Sequence, residues 1–132
     1  MSNLLDTSIV SDLIRNPNGR IAAPVREVGE AVVSSSIIVA AQLRFEAAKE
    51  GSPRLTAQLE AVLGALEILP FEAPADTIYA EIRWEHERTS GPIGGNAPLI
   101  AAQARALGRT IVTDNEREFV RVVNLPRENG LR

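Results

Sequence analysis

Very short apolar runs alternate with longer stretches of helical periodicity along the whole of this 132-residue chain. Strands this short and this apolar suit a parallel sheet covered by helices on both faces, so the chain is expected to be an α/β protein. Its length fits one compact domain over residues 1–132 and leaves no room for a second core of comparable size.

The pattern starts with Leu4-Leu5, a short strand ending at Asp6. Asp6 or Thr7 can cap a helix whose apolar positions Ile9, Val10, Leu13 and Ile14 fall at helical spacing, and the turn chemistry of Asn16-Pro17-Asn18-Gly19 ends that helix. A helix over residues 24–33 is predicted next. A buried strand over Ser34 to Val39 follows, suggested by β-branched Ile37-Ile38-Val39, and then a helix from Ala40 to Glu50. Gly51-Ser52-Pro53 stops that helix and opens another, with Leu55, Leu59, Val62, Leu63 and Leu66 on one stripe. Ile68 to Phe71 is placed at a sheet edge, because Pro70 cannot donate to a central ladder. Helices over Ala75 to Thr89 and Ala97 to Leu107 come next, and Gly108 ends the second of them. Thr110 to Thr113 is predicted as the last buried strand, with a short helical turn and a tail after Asp114.

Composition removes several function classes. Aromatic residues make up 4% of the chain, which leaves an aliphatic core and argues against a base-stacking platform. A formal charge of −3 argues against broad adhesion to a phosphate backbone, so any nucleic-acid contact must be local. The absence of cysteine excludes disulfides and thiolate metal sites. The N-terminus reaches Asp6 before an apolar leader can form, and no run approaches the roughly 20 apolar residues of a membrane span. The expectation is a cytoplasmic protein with no membrane partner.

In an open parallel sheet, ligands collect beyond the carboxyl ends of the strands. The residues there are Asp6, Thr7 and Ser8, then Gln42 one turn into its helix, then Thr113, Asp114 and Asn115. A carboxylate at Asp6 suits a hard cation such as Mg²⁺ and equally suits a helix N-cap. The oxygens of Thr113-Asp114-Asn115 suit a metal-bound water or a capped turn. Position alone leaves both readings open.

Four stretches together narrow the choice. They are Asn3-Leu4-Leu5-Asp6-Thr7-Ser8, then Ser36 to Phe45 with Gln42 inside it, then Pro92-Ile93-Gly94 through Ala104, and Ile111-Val112-Thr113-Asp114-Asn115 through Phe119. In order and spacing, over nearly the whole chain, they resemble the successive motifs of VapC-type toxins in the PIN-domain ribonuclease family.

The resemblance implies a PIN-like three-layer α/β/α fold with a short parallel sheet. It also implies the toxin half of a type II toxin–antitoxin module: a homodimer inhibited by a VapB-like antitoxin, cutting RNA phosphodiesters with Mg²⁺ or Mn²⁺ held by three or four acids. Asp6 matches the first acid. Gln42 stands where the family has a glutamate, keeping the shape and losing the charge, and Ala97 stands where it has an aspartate, losing the oxygens altogether. Asn115 matches the fourth position, variably Asp or Asn, with Asp114 beside it. Asp6 and Asp114, with position 97 if it carried Asp, are then the metal ligands, supported by Thr7 and Thr113. Gly94-Gly95 lacks a phosphate-loop pattern, and no nucleotide cofactor is expected.

Catalysis is accordingly expected to be weak or absent. The departures at 42 and 97 fit a deliberately inactivated form or a natural degenerate copy; Glu46, Trp84, Pro98 and Gly130 also depart from the family pattern and favour drift. Glu46 lies four residues after Gln42 on the same helical face, a turn away from the position that it would have to replace. One rival reading is a catalytically silent protein that binds an antitoxin or RNA without cleavage. Another is an unrelated small α/β signalling domain in which Asp6 and Asp114 only cap helices. The single histidine, His86, has charged neighbours Glu85, Glu87 and Arg88 and is expected on the surface. Trp84 suits an interface or an ordinary core edge. Arg105, Arg109, Arg117 and Arg121 lie near the last strand, within reach of phosphates or simply exposed.

Overall fold

Leu4 and Leu5 are almost wholly buried because β1 (Asn3–Leu5) sits at the centre of a five-stranded sheet. The computed structural model describes residues 3–16, 33–89 and 95–113, and the backbone of 127–129. After β1 come α1 (Thr7–Arg15), β2 (Val33–Ser36), α2 (Ile37–Glu50), α3 (Pro53–Ala65) and β3 (Glu67–Leu69). The chain continues through α4 (Ala75–Thr89), α5 (Ala97–Leu107), β4 (Thr110–Thr113) and β5 (Arg127–Asn129).

The strand order is β3-β2-β1-β4-β5, and every pairing is parallel. β1, β2 and β3 step outward in one direction, then the chain crosses back and lays β4 on the other side of β1. The order therefore reverses between β1 and β4, where a doubly wound sheet opens a crevice beyond its carboxyl ends. The helices form two groups, α1 with α2 and α3, and α4 with α5, flanking the sheet in the three-layer arrangement expected. Among the described residues, no helix is long and apolar enough to cross a membrane.

Several boundaries differ from the sequence reading, and the edge strand covers Glu67–Leu69, so that Pro70 and Phe71 lie beyond it. Ile37, Ile38 and Val39 form the first turn of α2, not the end of a strand, and the strand before them reads Val-Ser-Ser-Ser. β-Propensity loses here to side-chain hydrogen bonding. Ser34 Oγ donates to the Asn3 carbonyl at 2.7 Å and Ser35 Oγ to the Leu5 carbonyl at 2.8 Å, stitching β2 to β1, while Ser36 Oγ caps α2 by accepting from Ile38 N at 2.9 Å. Val33 belongs to β2, paired with Asn3, and does not end a helix. The rest of the helix predicted over residues 24–33 and the turn at Pro17-Asn18-Gly19 lie outside the described residues, as does the helical turn predicted after Asp114. β4 is not the last strand, since β5 pairs with it in register Ile111 to Arg127.

The core is aliphatic, as the low aromatic content requires. Leu4, Leu5, Ile9, Val10, Val39 and Ile111 are almost fully enclosed, and Leu59 and Leu63 of α3 close one flank. Leu59→Ala, at a position 2% exposed, is expected to cost about 2–5 kcal/mol in urea unfolding, from lost burial and the cavity left behind.

Polar side chains are also built into this interior, the largest of those almost fully enclosed being Gln103. Gln103 of α5 is 1% exposed, and its Nε2 donates to the carbonyls of Leu69 and Pro70 at 3.0 and 2.9 Å, holding the chain where edge strand β3 ends. Gln103→Ala is expected to lower stability by about 1–3 kcal/mol, since it removes the donor from both carbonyls.

Candidate functional site

Asp6 follows β1 directly and Thr113 ends β4, so the strand-order reversal places these two side chains at the mouth of the same crevice. The Asp6 amide donates to the Val112 carbonyl at 3.1 Å, extending the β1–β4 ladder by one residue. The Asp6 carboxylate is 4% exposed and held on both oxygens. Oδ1 accepts from Ser8 Oγ at 2.7 Å and from Ile9 N at 3.1 Å, and Oδ2 accepts from Thr113 Oγ1. Asp6, not Thr7, is therefore the N-cap of α1. The capping and ligand readings are compatible, because an ionised carboxylate offers about four acceptor sites.

Asp6 lines a cleft of about 420 Å³ with Thr7, Ser8, Ser11, Gln42, Glu46, Gly95, Asn96, Ala97 and Ile100. Asp6, Thr7, Ser8, Gln42, Glu46 and Ala97, all singled out by sequence, thus share one cleft, and Thr113 touches it through Asp6. Asp114 and Asn115 lie outside the described residues.

Gln42 and Ala97, the positions expected to carry acids, both line this cleft. Gln42, half-buried one turn into α2, has both ends of its amide engaged: Oε1 accepts from Asn96 Nδ2 at 2.9 Å, and Nε2 donates to Glu46 Oε1 at 3.3 Å. Asn96 precedes α5 in the N-cap position, yet its side chain makes no capping bond and reaches across to α2. Ala97, 4% exposed in the first turn of α5, brings only a methyl group.

Sequence reasoning passes over Asn96 and Ser11. Ser11 is within its reach, three residues after Ser8 on the same helical face. Asn96 is not, because its partner lies 54 residues away in the chain.

Two expectations about charged residues change. His86 is 4% exposed, not on the surface. It falls four residues after Ile82 and eleven after Ala75, on the stripe that α4 turns inward, whereas its charged sequence neighbours point roughly 100° away around the helix. Arg109 lies at the opposite end of the sheet from Asp6, donating to Ser34 Oγ at 3.0 Å and reaching Glu67 at 3.6 Å. It serves the fold and not the cleft. Arg105 and Trp84 are exposed, while Arg117 and Arg121 lie outside the described residues.

The cleft is therefore acidic. Its charged lining residues are Asp6 and Glu46, with no lysine or arginine among the described residues that border it. No group of three His, Cys, Asp or Glu side chains suited to a metal occurs among the described residues. The donor set is two carboxylates, two amide oxygens and hydroxyls, all oxygen. Such a set suits a hard cation of the Mg²⁺ type, which is commonly held by one or two carboxylates with the remaining positions left to water and substrate.

Comparison with known proteins identifies the family and the fold. Residues 4–125 match the PIN domain family. The chain is 34% identical over 130 residues, 96% of each protein, to the tRNA(fMet)-specific endonuclease VapC of Shigella flexneri. It is 38% identical over 98 residues, 74% of this chain and 73% of the relative, to ribonuclease VapC2 of Rickettsia felis. Among solved structures, it superposes on VapBC2 from Rickettsia felis bound to a DNA fragment from their promoter, with a TM-score of 0.86, 34% identity and 98% of each chain covered. DNA-bound VapBC from Salmonella typhimurium gives the same TM-score at 27% identity, again over 98% of each chain.

Proposed function

Since the chain belongs to the PIN-domain family, among proteins of the VapC ribonuclease type, we propose that it is the toxin component of a type II toxin–antitoxin module, a Mg²⁺- or Mn²⁺-dependent endoribonuclease impaired by the residues at 42 and 97. The observation that carries this reading is the placement of Asp6, fixed by three donors at the strand-order reversal, in a cleft whose other predicted acid positions hold Gln42 and Ala97.

Asp6 and Glu46 make the cleft repel an RNA phosphate, so a cation is needed before the substrate can approach. Asp6, Asp114 and the position of Ala97, if it carried Asp, are the residues that would hold it, with Asn115 at the family's fourth position. When bound, the ion supplies an activated water and charge neutralisation at the phosphodiester. Thr113 and Ser8 fix the rotamer of Asp6 by donating to its two oxygens, while Thr7 opens α1 on the cleft wall. Ala97 contributes no oxygen, and Gln42 spends its carbonyl on Asn96, so the ion is held more weakly than by a full set of acids.

A VapB-like antitoxin is the proposed partner, supported by the solved relatives, which are VapBC assemblies. A cytoplasmic homodimer is proposed on the resemblance to VapC-type proteins. The test is incubation of the purified chain with RNA in Mg²⁺ or Mn²⁺ against EDTA, alongside Asp6→Asn. Weak cleavage that EDTA and Asp6→Asn both abolish is the expected result. Cleavage that persists in Asp6→Asn removes the assignment.

The full engagement of the Gln42 amide and the methyl group at 97 also favour a second reading, a silent PIN-domain protein that binds an antitoxin or RNA without cutting. Tight antitoxin binding with no metal-dependent cleavage would select it.

A further inference from the structure

Glu46 is the one carboxylate besides Asp6 that lines the cleft among the described residues. Its neighbours in the same helical group are neutralised: Glu50 pairs with Arg15 at 2.9 Å and Glu60 with Arg44 at 2.9 Å. Glu46, half-buried on the same helix as Glu50, takes its hydrogen bond from the neutral amide of Gln42. Gln42 is itself fixed by Asn96, so a chain of two hydrogen bonds, Asn96 to Gln42 to Glu46, ties the Glu46 carboxylate on α2 to the start of α5. A glutamate in place of Gln42 could not donate to Glu46 in this way, since an ionised carboxylate only accepts.

We infer that Glu46 has taken over as the second cation-binding acid of this chain, with Gln42 as its positioning residue. The inference rests on the metal-dependent reading above. The carboxylate lost at position 42 is thereby moved one helical turn, about 5.4 Å along α2, and stays on the same face because residues four apart are neighbours on a helix. A partly desolvated carboxylate that shares an acidic cleft with Asp6 gains from a bound divalent ion what Glu50 and Glu60 gain from their arginines.

The test is direct titration of Mn²⁺, followed by loss of the free-ion EPR signal, with the full chain, Asp6→Asn, Glu46→Gln, Glu46→Asp and the double variant Gln42→Glu/Glu46→Gln. Glu46→Gln is expected to weaken Mn²⁺ binding by about 10-fold or more. Glu46→Asp, which keeps the charge and shortens the reach, should fall between it and the parent. The double variant, which returns the acid to position 42, should recover binding to within a few-fold of the parent. If Glu46→Gln binds like the parent while Asp6→Asn does not, the role of Glu46 is overturned and the metal reading stands. If the parent takes up no Mn²⁺, or Asp6→Asn is unchanged, the metal reading falls and this inference falls with it.

Discussion

Placing acids at both replaced positions, Gln42→Glu together with Ala97→Asp, will raise metal-dependent RNA cleavage at least about 100-fold over the chain as it stands. Changes one shell away from a metal cost roughly 10–100-fold in affinity or activity, so a directly ligating acid restored at 97 is set at the top of that range, while the acid at 42 takes over from Glu46. The structure accepts the first change easily. The new carboxylate would keep the bond from Asn96 Nδ2 and lose only the donation to Glu46, exchanging it for a like-charge pair of neighbours that costs about 0.2–0.5 kcal/mol.

The second change is more demanding, because position 97 is 4% exposed and shares the cleft with Asp6. A carboxylate in the first turn of α5 recovers about 0.3–1 kcal/mol from the helix dipole, less than the several kcal/mol of desolvation that a buried charge must offset. The double variant is therefore expected to be less stable than the parent in EDTA, and to regain about 2.7 kcal/mol when Mn²⁺ reaches 100 times its dissociation constant. Thermal unfolding with and without Mn²⁺ reads this out separately from cleavage. A variant that gains neither activity nor metal-dependent stability shows that 42 and 97 are not acid positions.

The parts of the fold legible in the sequence are those set by local chemistry. α3 begins at Ser52-Pro53 and α5 ends at Gly108 because a cap hydroxyl, a first-turn proline and a left-handed glycine act within a few residues of themselves. The bounds of α4, Ala75–Thr89, agree with the helical spacing of its apolar residues. Ile37-Ile38-Val39 misleads because three β-branched residues fit a strand as well as a buried helical turn, and the choice is made by Ser34, Ser35 and Ser36 finding acceptors and donors in space. His86 misleads because adjacent residues do not report the face on which a helical residue lies.

The candidate site divides in the same way. Asp6, Thr7, Gln42 and Ala97 are legible as strand-end or helix-turn positions, and the sheet topology gathers them into one cleft. The Asn96–Gln42–Glu46 relay is not, since it joins helices whose spatial relation only the folded chain defines.

Asp6 is the observed cap of α1 and the proposed metal ligand, and substitution can pull the two roles apart. Asn is as good an N-cap as Asp, and its side-chain oxygen can still accept from Ile9 N. Asp6→Asn should therefore unfold within about 1 kcal/mol of the parent, yet bind Mn²⁺ at least about 10-fold more weakly and lose its residual cleavage. Asp6→Ala removes the charge and the cap together. It costs about 0.5–2 kcal/mol for the cap. A further cost of about 1–3 kcal/mol is expected because the fully buried Thr113 hydroxyl loses the acceptor it uses at the β1–β4 junction. Urea unfolding of the two variants, run beside Mn²⁺ titration and RNA cleavage, gives a two-by-two result. Stability lost only in Asp6→Ala, with metal binding and cleavage lost in both, is the signature of a capping residue that also holds the ion. If Asp6→Asn behaves like the parent in all three measurements, residue 6 only caps α1, and the silent PIN-domain protein becomes the better account of this chain.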